Sequence, residues 1–212
     1  MWATHGLMLT NGGYVKVIGI TGGVGSGKTK ILTFLKENYK CEIIVSDELA
    51  KDLCKKGEPC FKPLVDLLGK DVLSKDGEID KALMAQKIFN EKSLLEKVNG
   101  IIHPAVRVFI EEEIETLKKE NALDYLFIEA ALLIECGYKE IVDEMWYIYT
   151  DIEVRRKRLK ESRGYSDAKI DSILKSQLSD SEYRKNCDFE IDNSGLCEDS
   201  FEQIRERLGE YS

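Results

Sequence analysis

The sequence predicts a three-layer α/β/α fold: a five-stranded, largely parallel sheet with helices on both faces, plus a helical insertion and a further, basic helical region. Three observations carry this. Short apolar runs rich in β-branched or aromatic residues recur five times along the 212 residues. Most of the gaps between them have helical spacing, the alternation that builds parallel sheets. The gaps are also uneven, with about twenty residues between the first two runs and nearly eighty between the second and third. One α/β core with appendages suits a chain of this length better than two independent domains.

The strands are read at "YVKVIGI" (14–20), "EIIVS" (42–46), "YLFIE" (125–129), "EMWYIYT" (144–150) and "DFEID" (188–192). An amphipathic segment, "KTKILTFLKENY", follows the first. The long gap looks helical throughout. Its segment "SDELAKDLCKKG" should stop at Gly57, and "DKALMAQKIFN" carries Leu83, Met84, Ala85 and Ile88 on helical faces. A longer helix is expected after Pro104, with Val106, Ile110, Ile114 and Leu117 along one stripe and the charged run 111–120 as its solvated side. Residues 151–186 hold much of the basic charge and read as two helices broken at Gly164, the second capped by Ser166 and striped with Ile170, Ile173, Leu174 and Leu178. The expected division is an α/β core of 14–46, 122–150 and 187–212, a helical insertion of 47–121 and a basic helical region of 151–186.

The formal charge of −8 argues against a general nucleic-acid binder, since phosphate backbones need a basic face. No run approaches the roughly 18 apolar residues of a membrane span. Residues 1–13 lack a basic n-region and a continuous apolar core, so they read as a lead-in rather than a secretory signal. Six scattered cysteines without a C-x-x-C pair, and only two histidines, suit reduced and mostly buried thiols in a cytoplasmic protein, not a zinc site.

Gly22 to Thr29, "GGVGSGKT", fits G-x-x-x-x-G-K-[ST] in full, directly after an apolar strand and before an amphipathic segment. Gly22, Gly23, Gly25 and Gly27 let the backbone of this P-loop, with Val24 and Ser26, turn successive N–H groups toward phosphate oxygens at a helix N-terminus. Lys28 should bridge the β- and γ-phosphates of ATP, and Thr29 should offer its hydroxyl to Mg²⁺. Nucleotide switches and enzymes share all of this. A guanine-reading N-K-x-D is missing, because no Asn-Lys pair occurs anywhere, and the D-x-x-G strings at Asp66–Gly69 and Asp192–Gly195 do not rescue a GTPase.

A small-molecule kinase needs an acceptor site, a group to orient or deprotonate the acceptor, and cations closing over the phosphoryl group. Asp47 ends the second strand at the edge where open α/β sheets bind ligands, as a base or as a helix-capping residue. Arg155, Arg158 and Arg163 are lid cations or a solvated basic face. His103 in "IIHP" stands alone before proline.

Together these segments resemble the dephospho-coenzyme A kinase family, from Val17 to about Gly195: "IGITGGVGSGKT", the "SD" at 46–47, "LLGKDVLSKDGEIDKALMAQKIFN", "IIHPAV", "ALLIE", Gln177 and "CDFEIDNSG". The resemblance implies a P-loop kinase fold that moves the ATP γ-phosphoryl to the ribose 3′-hydroxyl of dephospho-coenzyme A. It implies Asp47 as the catalytic acid, with Lys28 and Arg158 beside it. It assigns His103 and Arg107 to the acceptor and Asn193 to the adenine-side loop. The 14–46, 122–150 and 187–212 core becomes the nucleotide-binding part, the 47–121 insertion the coenzyme A-binding domain and the basic 151–186 region the lid. Where the family often carries Asp-x-Pro-Leu-Leu, this chain has Glu129 to Leu133, which leaves Glu129 either to approach Mg²⁺ through water or to order the P-loop, and Leu132 on the acceptor side. The familiar Gln before the first lid arginine is here Arg155, and the second arginine is shifted to Arg163. The implied partners are ATP and dephospho-coenzyme A, for a monomer or weak homo-oligomer. The rivals are a nucleoside or nucleotide kinase with another acceptor and a non-enzymatic nucleotide-dependent regulator.

Overall fold

A computed structural model describes residues 14–209, so the lead-in reading of residues 1–13 lies outside the described residues. Strands β1 (Lys16–Thr21), β2 (Cys41–Val45), β3 (Tyr125–Glu129), β4 (Glu144–Tyr149) and β5 (Phe189–Asp192) form one sheet in the order β2-β3-β1-β4-β5. β1 runs parallel to β3 with Ile18 opposite Phe127, and parallel to β4 with Ile20 opposite Trp146; β5 continues the parallel run against β4. The chain leaving β1 travels to one edge of the sheet and the chain leaving β3 crosses to the other. Their carboxyl ends therefore flank the crevice where such sheets bind ligands.

The layers follow from the period of two along buried strands. On β4, Trp146 and Ile148 turn into a cluster with Ile31, Phe34 and Leu35 of α1 (Lys28–Asn38) and Ile204 of α9 (Cys197–Leu208), where Phe34 stacks on Phe201 at 4.1 Å. Tyr147 turns the opposite way and stacks at 4.5 Å on Tyr183 of α8 (Asp180–Asn186). Alternate residues of one strand thus supply both cores.

Contacts divide the chain into two compact units, one of residues 1–43 and 116–212, the other of residues 44–115. The second holds α2 (Ser46–Leu53), α3 (Phe61–Leu68), α4 (Lys81–Asn90) and most of α5 (Lys92–Glu120). Asp80 caps α4 by accepting from Ala82 N at 2.8 Å and Leu83 N at 3.1 Å, which is why "IDKAL" starts a helix so cleanly. Lys87 anchors its other end on Asp71 at 2.7 Å. Within α4, Leu83 is exposed.

Three expectations are corrected. α5 does not start after Pro104 but runs through it. Proline deletes one i→i−4 bond, and Gly100 and Pro104 are both exposed, so the freed carbonyl faces water. α2 stops at Leu53, where Cys60 N closes the turn on the Leu53 carbonyl at 3.0 Å, and Gly57 serves that turn with φ 97° instead of capping the helix. Residues 151–186 make three helices rather than two: α6 (Ile152–Arg163), α7 (Asp167–Lys175) and α8. The break at Gly164 and the Ser166 cap are present, but a capping box between Ser179 and Glu182 starts α8 as a separate helix.

All six cysteines are free, and only Cys60 is buried. Burial pushes the thiols of Cys41 and Cys54 up to about 11 and that of Cys187 to about 12. Among the described residues no helix is long and apolar enough to cross a membrane.

Candidate active site

β1 ends at Thr21 and the chain turns through Gly22–Gly27 before α1 starts at Lys28. Gly25 at φ 84° and Gly27 at φ 88° hold left-handed backbone that side chains resist. Gly27 caps α1 without any side-chain bond, its carbonyl taking the Lys30 N–H at 3.0 Å, so no capping side chain competes with an anion at the start of this eleven-residue helix. Lys28 Nζ donates to the Gly22 carbonyl at 2.7 Å and lies 3.6 Å from the Glu129 carboxylate at the end of β3. The cation is thus held over the loop by the two strand ends that flank the crevice.

The Ser26 carbonyl is the most heavily used acceptor of the loop. It receives Asn193 Nδ2 at 2.7 Å, Thr150 Oγ1 at 3.0 Å and Arg158 Nη1 at 3.5 Å. Asn193 is buried, and its own Oδ1 accepts from Ser200 Oγ at 3.0 Å while its carbonyl takes Arg158 Nη2 at 2.9 Å. Val24 is gripped on both sides: its N–H donates to Gln177 Oε1 at 3.3 Å and its carbonyl accepts Arg155 Nε at 3.1 Å. A Cβ on Gly23 would collide with the Arg155 guanidinium, so only glycine admits that cation so close.

The residues suit a nucleotide triphosphate on their chemistry. Lys28, Arg155 and Arg158 all reach one loop, and among the described residues the buried hydroxyls of Thr21 and Ser26 lack a hydrogen-bond partner. Such orphaned groups cost stability unless something meets them. Thr29 is exposed on the first turn of α1, and with Glu129 it supplies hydroxyl and carboxylate oxygens only, the donor set a hard cation such as Mg²⁺ takes.

Of the three arginines expected to close over the phosphates, Arg155 and Arg158 reach the loop. Arg163 sits exposed at the end of α6, 5.9 Å from the Tyr165 ring. Asp47, His103 and Arg107 belong to the 44–115 unit. Asp47 is exposed in the first turn of α2, whose N-cap is Val45 with no side-chain cap, while the neighbouring Ser46 hydroxyl is buried without a partner. His103 and Arg107 lie one turn apart on α5, and Arg107 Nε bonds Glu111 at 2.8 Å. The same unit carries an open cleft of about 670 Å³ whose lining includes Lys51, Lys55, Lys81, Cys54, Met84 and Ile102. Leu132 is exposed just beyond β3. Thr150 and Gln177 were not singled out as site residues from sequence. Thr150 directly follows β4 and precedes the Asp151 cap of α6, a position at the ligand edge of the sheet that could have flagged it.

A family model for dephospho-CoA kinase matches residues 16–199. The chain belongs to the dephospho-CoA kinase family. It is 34% identical over 188 residues to a dephospho-CoA kinase of Carboxydothermus hydrogenoformans, covering 89% of this chain and 90% of that one. It is 32% identical over 190 residues to one of Fusobacterium nucleatum, covering 90% and 95%. Among solved structures it resembles a protein of Thermus thermophilus at 26% identity and TM-score 0.76, over 94% of this chain and 99% of that one. A dephospho-CoA kinase of Campylobacter jejuni, at 23% identity and TM-score 0.68 over 92% and 96%, shares the fold. Family members are kinases, and the P-loop geometry above is the part of the site on which a kinase depends.

Proposed function

We propose that the protein transfers the γ-phosphoryl group of ATP to the ribose 3′-hydroxyl of dephospho-coenzyme A, giving coenzyme A and ADP. The observation that carries this is the P-loop whose Val24 and Ser26 peptides are gripped by lid cations and Asn193, with Lys28 poised at its mouth. Family membership supports the acceptor; the cleft of the 44–115 unit mixes Lys51, Lys81 and the Asp52-paired Lys55 with Glu48 and Glu78, and its Met84 and Ile102 suit a thin, partly apolar arm.

In this reading the ribose oxygen attacks the γ-phosphorus in line. A P–O bond to the acceptor forms, the bond to the β–γ bridging oxygen breaks, and the hydroxyl proton passes to Asp47. Lys28, Arg155 and Arg158 offset the charge that develops on the phosphoryl oxygens, while Gly22, Gly23, Gly25, Gly27 and their peptide neighbours hold the polyphosphate. Asn193 borders the adenine side; His103, Arg107 and Leu132 serve the acceptor; Arg163 acts from the lid. Thr29, with Glu129 nearby, would hold Mg²⁺, which would supply charge neutralisation at the phosphates. Residues 47–121 serve as the acceptor-binding domain and 151–186 as the lid, in a cytoplasmic monomer or weak homo-oligomer that needs no nucleic-acid or membrane partner.

The test measures ADP release from Mg-ATP with dephospho-coenzyme A, AMP, GMP or no acceptor. The fastest turnover is expected with dephospho-coenzyme A. Faster turnover with AMP would make the protein a nucleotide kinase instead.

A further inference from the structure

Arg155 is an unusual cation. It is 7% exposed, yet its bonding partners are neutral: the Val24 carbonyl and the Gln177 side-chain oxygen, the latter at 2.7 Å. Among the described residues no carboxylate pairs with it. A guanidinium has five N–H donors in a fixed fork, and these two bonds use one on Nε and one on Nη2. Three donors, on Nη1 and Nη2, are left to something other than protein. A buried, always-charged group without a counter-ion is costly, and the cost is recovered when an anion enters.

Gln177 decides where that charge sits. It lies between α7 and α8, and its single oxygen accepts from both Val24 N–H and Arg155 Nη2. An amide oxygen with two lone pairs can do this while remaining neutral, so it ties the loop to the guanidinium without spending the cation. The Tyr147 hydroxyl, which feels the Arg155 charge, donates to Asp180 at 2.7 Å, so that carboxylate's lone pair is directed at a neutral phenol. Burial and this hydrogen bond to Asp180 push the Tyr147 hydroxyl far above its usual range, so it stays protonated.

We propose that Gln177 is a positioning residue for phosphoryl transfer: it holds the Arg155 guanidinium across Gly23, leaving Nη1 and the second Nη2 hydrogen to an oxygen of the terminal phosphoryl group. Arg155 thereby becomes the phosphate contact and Gln177 the neutral arm that keeps its charge unspent. This rests on the P-loop holding a nucleoside triphosphate, as in the function proposed above, but not on the identity of the acceptor.

Gln177→Glu tests it. Glutamate keeps an acceptor oxygen for both donors but neutralises Arg155, so a purely structural role would be untouched. Calorimetry with a non-hydrolysable ATP analogue and with adenosine is the readout, beside kcat, KM and Tm. The expected result is a loss of triphosphate affinity and kcat of roughly tenfold or more, from one added charge within a few ångströms of the phosphoryl group. Adenosine affinity should stay within about twofold and Tm should hold or rise, because a new buried ion pair forms. Gln177→Met, which keeps the volume and loses the acceptor, should weaken the triphosphate but not adenosine. Wild-type triphosphate affinity and kcat in the glutamate variant overturn the proposal, as does an equal loss for adenosine in either variant. Since calorimetry needs no acceptor, a wrong acceptor assignment leaves this result readable.

Discussion

The nucleotide loop and the 44–115 unit are built on opposite plans. The loop's peptides are held from far along the chain: Ser26 by Thr150 and Asn193, 124 and 167 positions away, and Val24 by Arg155 and Gln177, 131 and 153 away. The 44–115 unit is held locally, with Asp80 capping its own helix, Lys62 paired to Asp66 four positions on and Lys87 to Asp71 sixteen away. A loop that must present unpaired donors to a polyphosphate cannot stabilise itself, so its backbone is gripped from outside. Helices that carry exposed side chains such as Asp47 and His103 need no such grip. Chemistry and stability should therefore separate in the helical unit and stay coupled at the loop.

The largest effect is expected from Asp47→Asn. Removing a general base costs about 10²-fold or more in kcat, while Tm moves by less than about 2 °C, because the side chain is exposed on an uncapped first turn. Steady-state kinetics beside thermal melts decide it; kcat within twofold of wild type would leave Asp47 a surface residue. Asn193→Ala should instead move both quantities. It strips the Ser26 carbonyl and Ser200 hydroxyl of a buried partner, which costs about 1–3 kcal/mol and several degrees of Tm, and it should raise the KM for ATP. A variant that loses stability with its ATP KM intact would uncouple the two and break the contrast.

The smallest effect belongs to a site away from both. Burial alone would raise the pKa of Glu144, but hydrogen bonds from Lys16 and Trp146, with the charges of Lys16 and Arg207, outweigh it and hold the carboxyl below its usual value. A depressed pKa gives stability that is present above the unfolded value of 4.5 and is lost as pH falls through the lower folded one. Glu144→Gln should thus lower Tm by a few degrees at pH 7, with the gap closing as pH drops below 4.5. A gap that persists undiminished at pH 3 would show that the contribution is packing, not charge.

Much of the architecture was legible because it is written in local pattern. The five apolar runs fall within one or two residues of the five strands, and "YLFIE" coincides with β3. "GGVGSGKT" announced the loop, since a motif of glycines at set spacing encodes its own backbone path. Ser166 and Gly164 marked the α6–α7 break because caps act within one turn. The third helix of that region was equally local, in the Ser179–Glu182 pair, and was passed over in favour of the hydrophobic stripe. Pro104 misled for the opposite reason: local propensity says stop, and a helix of 29 residues outweighs one lost bond.

The sequence by itself determined that a strand, a phosphate loop and a helix follow one another, and that Lys28 and Thr29 sit at that helix's start. It also carried enough matching residues to indicate the family. Only the tertiary structure decided that Arg155, not Arg163, lies against the loop, and that Gln177 shares its oxygen between Val24 and that arginine. It alone showed Thr150 and Asn193 meeting on one carbonyl. The reason is physical: a motif encodes contacts within a few residues through φ/ψ and hydrogen-bond reach, whereas a partner 153 positions away is chosen by how the sheet orders its strands.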